Sequence, residues 1–383
     1  MASCLCINYG RKPNLYFCIE GGHILERKPI KNTDKKIKND LVKVDRKEEN
    51  DLVKEVAKEL NIKFGEGSAM IMDGEEDIAK VPFWVRTGIP ALDYAVGGKV
   101  HPGLPGGRIV EVYGEESSGK TTLTIYFLRK VVDTMGIGVF QDSEHSLSEE
   151  RVNQIGLDKR KVIYLQPETM EEVFEQQEHI INLIRQKRSK TPLVIGWDSV
   201  ASTPTSAELE GEYGSEVMGQ HARLMSQSLR KIKGLIKKEN VLALYVNQIR
   251  DKIGVRFGEK TSTFGGRALK FYASVRIEVA IIEKIKESEG KGSPVVGIRV
   301  RATVRKNKVA PPFKTAEFII YFDDRCVDEI GAVLEWLKMN GLAGETQGWY
   351  EIEGKKYRFK DAWELLNEDR DLFEKYYELC YEV

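Results

Sequence analysis

The chain has 383 residues, 41% of them hydrophobic and 31% charged, with 59 Lys and Arg balancing 59 Asp and Glu. That composition suits a soluble globular protein with one sizeable core and small appendages, and it excludes a disordered or fibrous chain. No stretch approaches the roughly 18 apolar residues of a membrane span, and the zero net charge means that any polyanionic partner must be met by a local patch.

Residues 1–48 differ from the rest. Cys4, Cys6, Cys18 and His23 lack the paired spacing of a zinc site, and charges of both signs dominate from Arg27 to Lys54. The segment reads as an extension of unknown role. The five cysteines are odd in number and scattered, and no export signal is evident. Reduced thiols in a cytoplasm are therefore expected. Asn50 and Asp51 offer caps for a short helix whose stripe, Leu52, Val56, Leu60 and Ile62, is too small to be stable alone. It must dock, on its own core or on a neighbouring subunit.

After the turn-rich stretch Gly97 to Gly107 comes an apolar β-branched run, Ile109-Val110-Glu111-Val112-Tyr113. Gly114-Glu115-Glu116-Ser117-Ser118-Gly119-Lys120-Thr121-Thr122 follows it, and a helical pattern then runs from Leu123 to Val132. Strand, Gly-bounded loop and helix start are the context that makes a G-x-x-x-x-G-K-[ST] match a phosphate-binding loop. The glycines let successive N–H groups turn inward, and the helix N-terminus adds positive potential. Lys120 then reaches the β- and γ-phosphates, and Thr121 offers its hydroxyl to Mg²⁺. The loop implies a bound nucleoside triphosphate.

Beyond it, strands at Ile137 to Gln141, Val162 to Leu165, Leu193 to Asp198 and Val241 to Val246 alternate with helices at Met170 to Arg188 and Gly219 to Lys238. That alternation predicts a doubly wound α/β sheet, mostly parallel, with ligands at the strand C-terminal ends. From Ser274 on, closely spaced strands predict an antiparallel extension. Residues 325–383 read as a small lobe of helices with a hairpin. Asp198, ending an apolar strand, is the expected Mg²⁺ carboxylate, bound directly or through water. Gln141-Asp142-Ser143-Glu144-His145 ends a strand expected beside that of the phosphate loop. Glu144, with Asp142 as the alternative, is the candidate general base. Asn247-Gln248 follows another strand and can report the γ-phosphate to residues 250–267. That basic, Gly-containing segment, with Lys252, Arg256, Lys260, Gly265, Gly266 and Arg267, reads either as a switchable anion-binding loop or as a solvated one.

Taken together, the chain closely resembles the bacterial RecA recombinase family, phage-encoded members included. The motifs that carry the resemblance run in order from about residue 50 to the end. They are Lys63-Phe64-Gly65-Glu66-Gly67-Ser68, Gly106 to Gly114, Glu116 to Thr122, Asp142 to Leu147, Glu210-Gly211-Glu212-Tyr213-Gly214, Asn247-Gln248-Ile249-Arg250, Ala268 to Arg276 and Lys306 to Lys314. The resemblance implies a RecA-type ATPase core at 81–324, an N-terminal polymerisation arm at 49–80 and a C-terminal lobe at 325–383. It implies a DNA-dependent ATPase that uses ATP and Mg²⁺, forms helical homo-oligomers on single-stranded DNA, and pairs it with homologous duplex DNA.

By the same resemblance, Glu144 activates water and Gln248 senses the γ-phosphate. DNA-binding loops fall at about 210–219 and 250–267. Met218 and Ile253 wedge between base triplets, and Arg223, Arg230, Arg250 and Lys252 lie by phosphates or bases. Lys306 and Lys308 reach the triphosphate of the adjacent protomer, with Lys270, Phe271 and Arg276 near that interface. Arg151 stands where the family stacks a tyrosine on adenine, and Trp197 where a smaller residue is usual. Phe264, where a small hydroxyl residue is usual, could add a DNA-stacking contact. The sequence given ends without a long acidic tail, so less restrained duplex binding is expected. The competing readings are a RecA-like ring motor and a DNA-coating filament protein whose hydrolysis is vestigial.

Overall fold

The computed structural model describes residues 16–20, 23–27, 46–65, 68–72, 81–134, 136–187, 191–212, 219–251, 261–288, 290, 292–344 and 347–382. The chain divides into two units, Met1–Lys80 and Val81–Val383. In the first, strands β1 (Tyr16–Glu20) and β2 (His23–Arg27) pair antiparallel, so the N-terminal extension holds a hairpin. Helix α1 spans Arg46–Phe64. It starts before the Asn50 and Asp51 caps expected from sequence, because the charged residues 46–49 continue the helical turn. Leu52 (60% exposed), Val56 (47%) and Leu60 (39%) leave its apolar stripe open.

The second unit begins with β3 (Trp84–Val85), α2 (Pro90–Gly97) and β4 (Leu104–Pro105). Pro90 opens α2, where its missing N–H costs nothing. The core then alternates as expected: β5 (Arg108–Gly114), α3 (Lys120–Asp133), β6 (Ile137–Asp142), α4 (Glu149–Ile155), β7 (Val162–Leu165), α5 (Met170–Lys187) and β8 (Leu193–Asp198). It continues with α6 (Ser206–Glu210), α7 (Gln220–Lys238), β9 (Val241–Asp251), β10 (Thr261–Thr263) and α8 (Ala268–Tyr272). Two long strands, β11 (Val275–Lys286) and β12 (Val295–Asn307), and β13 (Thr315–Tyr321) complete the sheet.

Strand order is β13-β12-β11-β5-β9-β8-β6-β7, with β10 on β9. Pairing is parallel from β11 through β5 to β7, and antiparallel at β11–β12, β12–β13 and β9–β10. Alternating side chains of the central strands feed two apolar layers. Val110 and Val112 join Leu123, Phe127 and Leu128 of α3 on one face. Ile109 and Tyr245 join Ile181 of α5 and Met225, Leu229 and Ile232 of α7 on the other. Each fully buried Leu or Val side chain contributes about 1.5–3 kcal/mol, so these layers hold the strand ends in register beneath the site.

The final elements are α9 (Glu329–Met339), β14 (Tyr350–Ile352), β15 (Lys355–Tyr357), α10 (Phe359–Glu368) and α11 (Arg370–Leu379). They enclose their own apolar cluster around Val333, Leu337, Ile352, Leu366 and Phe373. Tyr94 of α2 stacks on Trp336 (centroids 4.6 Å apart) and donates to the Cys380 carbonyl at 2.9 Å. Tyr381 donates to buried Asp93 at 2.6 Å.

Candidate nucleotide and DNA site

The phosphate loop is shaped by two glycines. A Cβ on Gly114 would lie 2.2 Å from the Val279 carbonyl oxygen, so β5 can lie against β11 there only without a side chain. Gly119, at φ +86°, takes the left-handed turn that opens α3 at Lys120. The Lys120 ammonium donates to the Glu115 carbonyl at 2.6 Å, and the Ser118 hydroxyl donates to the same oxygen at 2.8 Å. Burial lowers the Lys120 pKa, while Asp198 and Glu144 favour its charge. The loop borders a cavity of about 440 Å³. Glu116, Ser117, Gly119, Lys120, Thr121 and Thr122 form one side, with Arg151, Glu144, Asp198 and Gln248 beyond them. Ile298, Ile320 and Phe322 supply an apolar wall. Arg151 donates to the Thr122 hydroxyl at 2.9 Å.

Sheet register aligns the remaining groups. Gly114 pairs with Gln248 and Asp142 with Asp198. The strand carrying Glu144 does not neighbour that of the phosphate loop, contrary to the sequence expectation: β9 and β8 stand between β5 and β6. The chain leaves β5 over α3 and skips two positions, a crossover that local pattern does not encode. Glu144 lies past the end of β6 and reaches back to the cavity.

Asp142 and Glu144 have different surroundings. Asp142 is buried, and its oxygens accept from the Glu144 and Leu147 amides at 3.2 and 3.0 Å and from the Tyr164 hydroxyl at 2.9 Å. It shapes the turn. Glu144 is half-buried at the cavity, where its Oε1 accepts from the Ser199 hydroxyl at 2.5 Å and the Gln248 amide at 3.4 Å. Trp197 braces this corner. Its indole packs edge-on to Phe174 and Tyr245, and its N–H donates to Thr203 at 3.1 Å and Ser143 at 3.3 Å.

Asp198 is 1% exposed. Burial pushes its pKa up to about 7; a hydrogen bond from Thr121 opposes the rise, Glu144 and Asp142 add to it, and Lys120 also opposes it. Its Oδ2 has no hydrogen-bond partner among the described residues. A buried carboxylate oxygen left without a donor, beside a threonine hydroxyl, is the oxygen set that a hard divalent cation takes. Thr121 and Asp198 therefore fit Mg²⁺.

Of the expected DNA contacts, Met218, Lys252 and Ile253 lie outside the described residues, as do residues 213–218 of the first loop and 252–260 of the second. Arg223 and Arg230 are exposed on α7, opposite its buried stripe of Met225, Leu229, Ile232 and Ile236. Arg250 is exposed on β9. Gly265 is buried against His221 and Met225, whereas Gly266 and Arg267 are exposed.

Lys306 and Lys308 do not line the cavity of their own chain. Lys306 donates to the carbonyls of Lys270 and Phe271 at 2.6 and 2.8 Å, and Lys308 lies 5.7 Å from the ring of Phe271, which is 68% exposed. Burial, then the Lys308 and Arg276 cations, bring the Lys306 pKa down to about 8. Arg276, expected near the protomer interface, is buried. It pairs with Glu111, lies 4.3 Å over the Tyr113 ring and donates to Thr263 at 3.3 Å. Its neighbour in the sheet register is Lys306, so it supports that patch from within.

Sequence reasoning missed Ser199, Asn247 as a linker, and the Glu111–Arg276 pair. Asn247 donates to Glu111 and to the Phe264 carbonyl, both at 3.0 Å, and accepts from the Gln248 amide at 2.9 Å. A lone carboxylate in the apolar strand Arg108–Gly114 was the available signal, because a buried charge needs a partner.

The RecA N-terminal domain family model matches residues 51–326. Protein RecA of Chloroherpeton thalassium is 42% identical over 320 residues, 83% of this chain and 85% of that protein. Protein RecA of Teredinibacter turnerae is 42% identical over 298 residues (78% and 82%), and that of Clostridium acetobutylicum 38% over 330 residues (84% and 90%). With the family model matching residues 51–326 and these relatives 38–42% identical over most of both chains, the chain belongs to the RecA family, the recombinases of DNA recombination and repair.

Proposed function

We propose that the chain is an ATPase, Mg²⁺-dependent and stimulated by single-stranded DNA, that assembles into helical filaments and drives homologous pairing and strand exchange with duplex DNA in the cytoplasm. The observation that carries this reading is Glu144, held between Ser199 and Gln248 at a cavity whose other side is the phosphate loop. Lys120 and the inward-turned amides bind the β- and γ-phosphates. Arg151 and the Ile298, Ile320 and Phe322 wall border the rest of the cavity and accept the base. Mg²⁺, when bound at Thr121 and Asp198, neutralises charge developing on the phosphate oxygens. Glu144 orients the attacking water and takes its proton, and Ser199 fixes the carboxylate's angle.

Lys306 and Lys308 complete the site in trans, as an arginine finger does. Their absence from the cavity of their own chain and their place beside exposed Phe271 support this. The open stripe of α1 supports an arm that docks on the next protomer, as do its length and composition. Gln248, touching both Glu144 and, through Asn247, the root of the second loop, links the triphosphate to DNA. Contacts of this kind read no base sequence, so binding is sequence-tolerant and weakens with salt.

The test is ATP turnover with and without single-stranded DNA. Turnover rises several-fold with DNA and vanishes in Lys120→Ala; turnover indifferent to DNA contradicts the proposal.

A further inference from the structure

Three side chains at the roots of the two loops are stacked from the interior outward. His221, in the first turn of α7 and 8% exposed, meets Phe264 at 4.4 Å between centroids with the rings at 79°. Phe264 is half-buried and carries the Arg250 guanidinium 4.3 Å from its centroid. Arg250 itself is exposed. The backbone at Phe264 is held independently. Asn247 donates to its carbonyl, Arg276 donates to the Thr263 hydroxyl, and Ser262 and Thr263 pair with Arg250 and Ile249 in the β9–β10 ladder.

This arrangement changes the meaning of Phe264. Arg250 lies over the ring and His221 meets it in a T-shaped contact, so the ring is already engaged by two side chains. A free arginine samples many rotamers, and ordering it costs up to about 2 kcal/mol. A guanidinium held over an aromatic face is already partly ordered, and because Arg250 is exposed it can still meet a phosphate or base. We infer that Phe264 is a positioning residue for DNA binding. Wedged by His221, it seats the Arg250 guanidinium and thereby couples the helix that follows the first loop to the root of the second. The inference rests on the reading above that Arg250 meets DNA.

The test measures binding of a fluorescent oligo-dT by anisotropy, with a slowly hydrolysed ATP analogue, for Phe264→Leu, Phe264→Tyr, Arg250→Ala and the Leu/Ala double variant. Phe264→Leu should weaken binding by about three- to ten-fold, and Phe264→Tyr should restore it. The double variant should bind no more weakly than Arg250→Ala alone, since Phe264 acts through Arg250. Arg250→Lys, which keeps the charge but loses the planar stack, should match Phe264→Leu and serves should that variant fail to fold. If Arg250→Ala binds like the parent, the DNA-loop reading fails. If Arg250→Ala is weakened while Phe264→Leu and Arg250→Lys are not, or if the single effects multiply in the double variant, the positioning role is wrong and the loop reading stands.

Discussion

Gln248 and Glu144 meet across 3.4 Å, although 104 residues separate them in the chain. Gln248 lies in the strand paired with that of the phosphate loop, and Glu144 follows a strand two places further along the sheet. Their contact places a neutral amide and a carboxylate on the same side of the triphosphate cavity. A neutral amide donates to the carboxylate without adding charge and fixes its direction, which suits a group that must orient water.

Glu144→Gln keeps the shape and the hydrogen-bonding reach but removes the base. Turnover should fall by about 10²-fold or more, while nucleotide affinity by equilibrium titration stays within a few-fold of the parent. Unchanged turnover would favour a DNA-coating protein with vestigial hydrolysis.

Two inactive variants should rescue one another. Lys306→Ala with Lys308→Ala leaves the phosphate loop intact, and Lys120→Ala leaves the lysines intact. Mixed filaments then contain interfaces that join an intact loop to intact lysines. DNA-stimulated hydrolysis should reappear on mixing, and its continued absence would argue that the lysines act within their own chain.

Assembly should weaken at alkaline pH. The Lys306 pKa is lowered to about 8 in the free protomer by burial and neighbouring cations. A neighbour's triphosphate favours the charged form and raises the pKa, so above pH 8 assembly takes up a proton and loses affinity as pH rises. Below about pH 8 the lysine is already charged and the dependence flattens. Lys306→Arg, charged throughout, should show no such limb in sedimentation or light-scattering titrations.

Trp197→Ala removes a fully buried indole together with the N–H that it donates to Thr203 and Ser143. Chemical unfolding should show a loss of about 3–5 kcal/mol, the usual range for truncating a buried aromatic. A loss below about 1 kcal/mol would mean that the corner around Glu144 is not braced by Trp197.

Much of the fold was legible because its elements are strongly patterned. The predicted strand Leu193–Asp198 has those bounds in the structure, and α7 begins one residue after the predicted Gly219. Strand order was less legible. Periodicity marks a strand but not its partner, so β6 was expected beside β5. The start of α1 was missed because capping residues at Asn50 and Asp51 compete with an equally helical charged run before them.

Within the site, the phosphate loop and Asp198 were readable from local motif and strand end. The choice between Asp142 and Glu144 was not readable from spacing, because it depends on which carboxylate the turn consumes. The Glu111–Arg276 pair was not readable, because sequence shows each charge but not that the two strands carrying them are neighbours. Trp197 gains its meaning only from Thr203 and Ser143, which other segments supply.

In the proposed function, the triphosphate cavity is completed between protomers along DNA. Electron microscopy of the protein with single-stranded DNA and a slowly hydrolysed ATP analogue tests this most directly. Helical filaments are expected, shortening or vanishing in the Lys306→Ala, Lys308→Ala variant; closed rings without filaments would overturn the shared site.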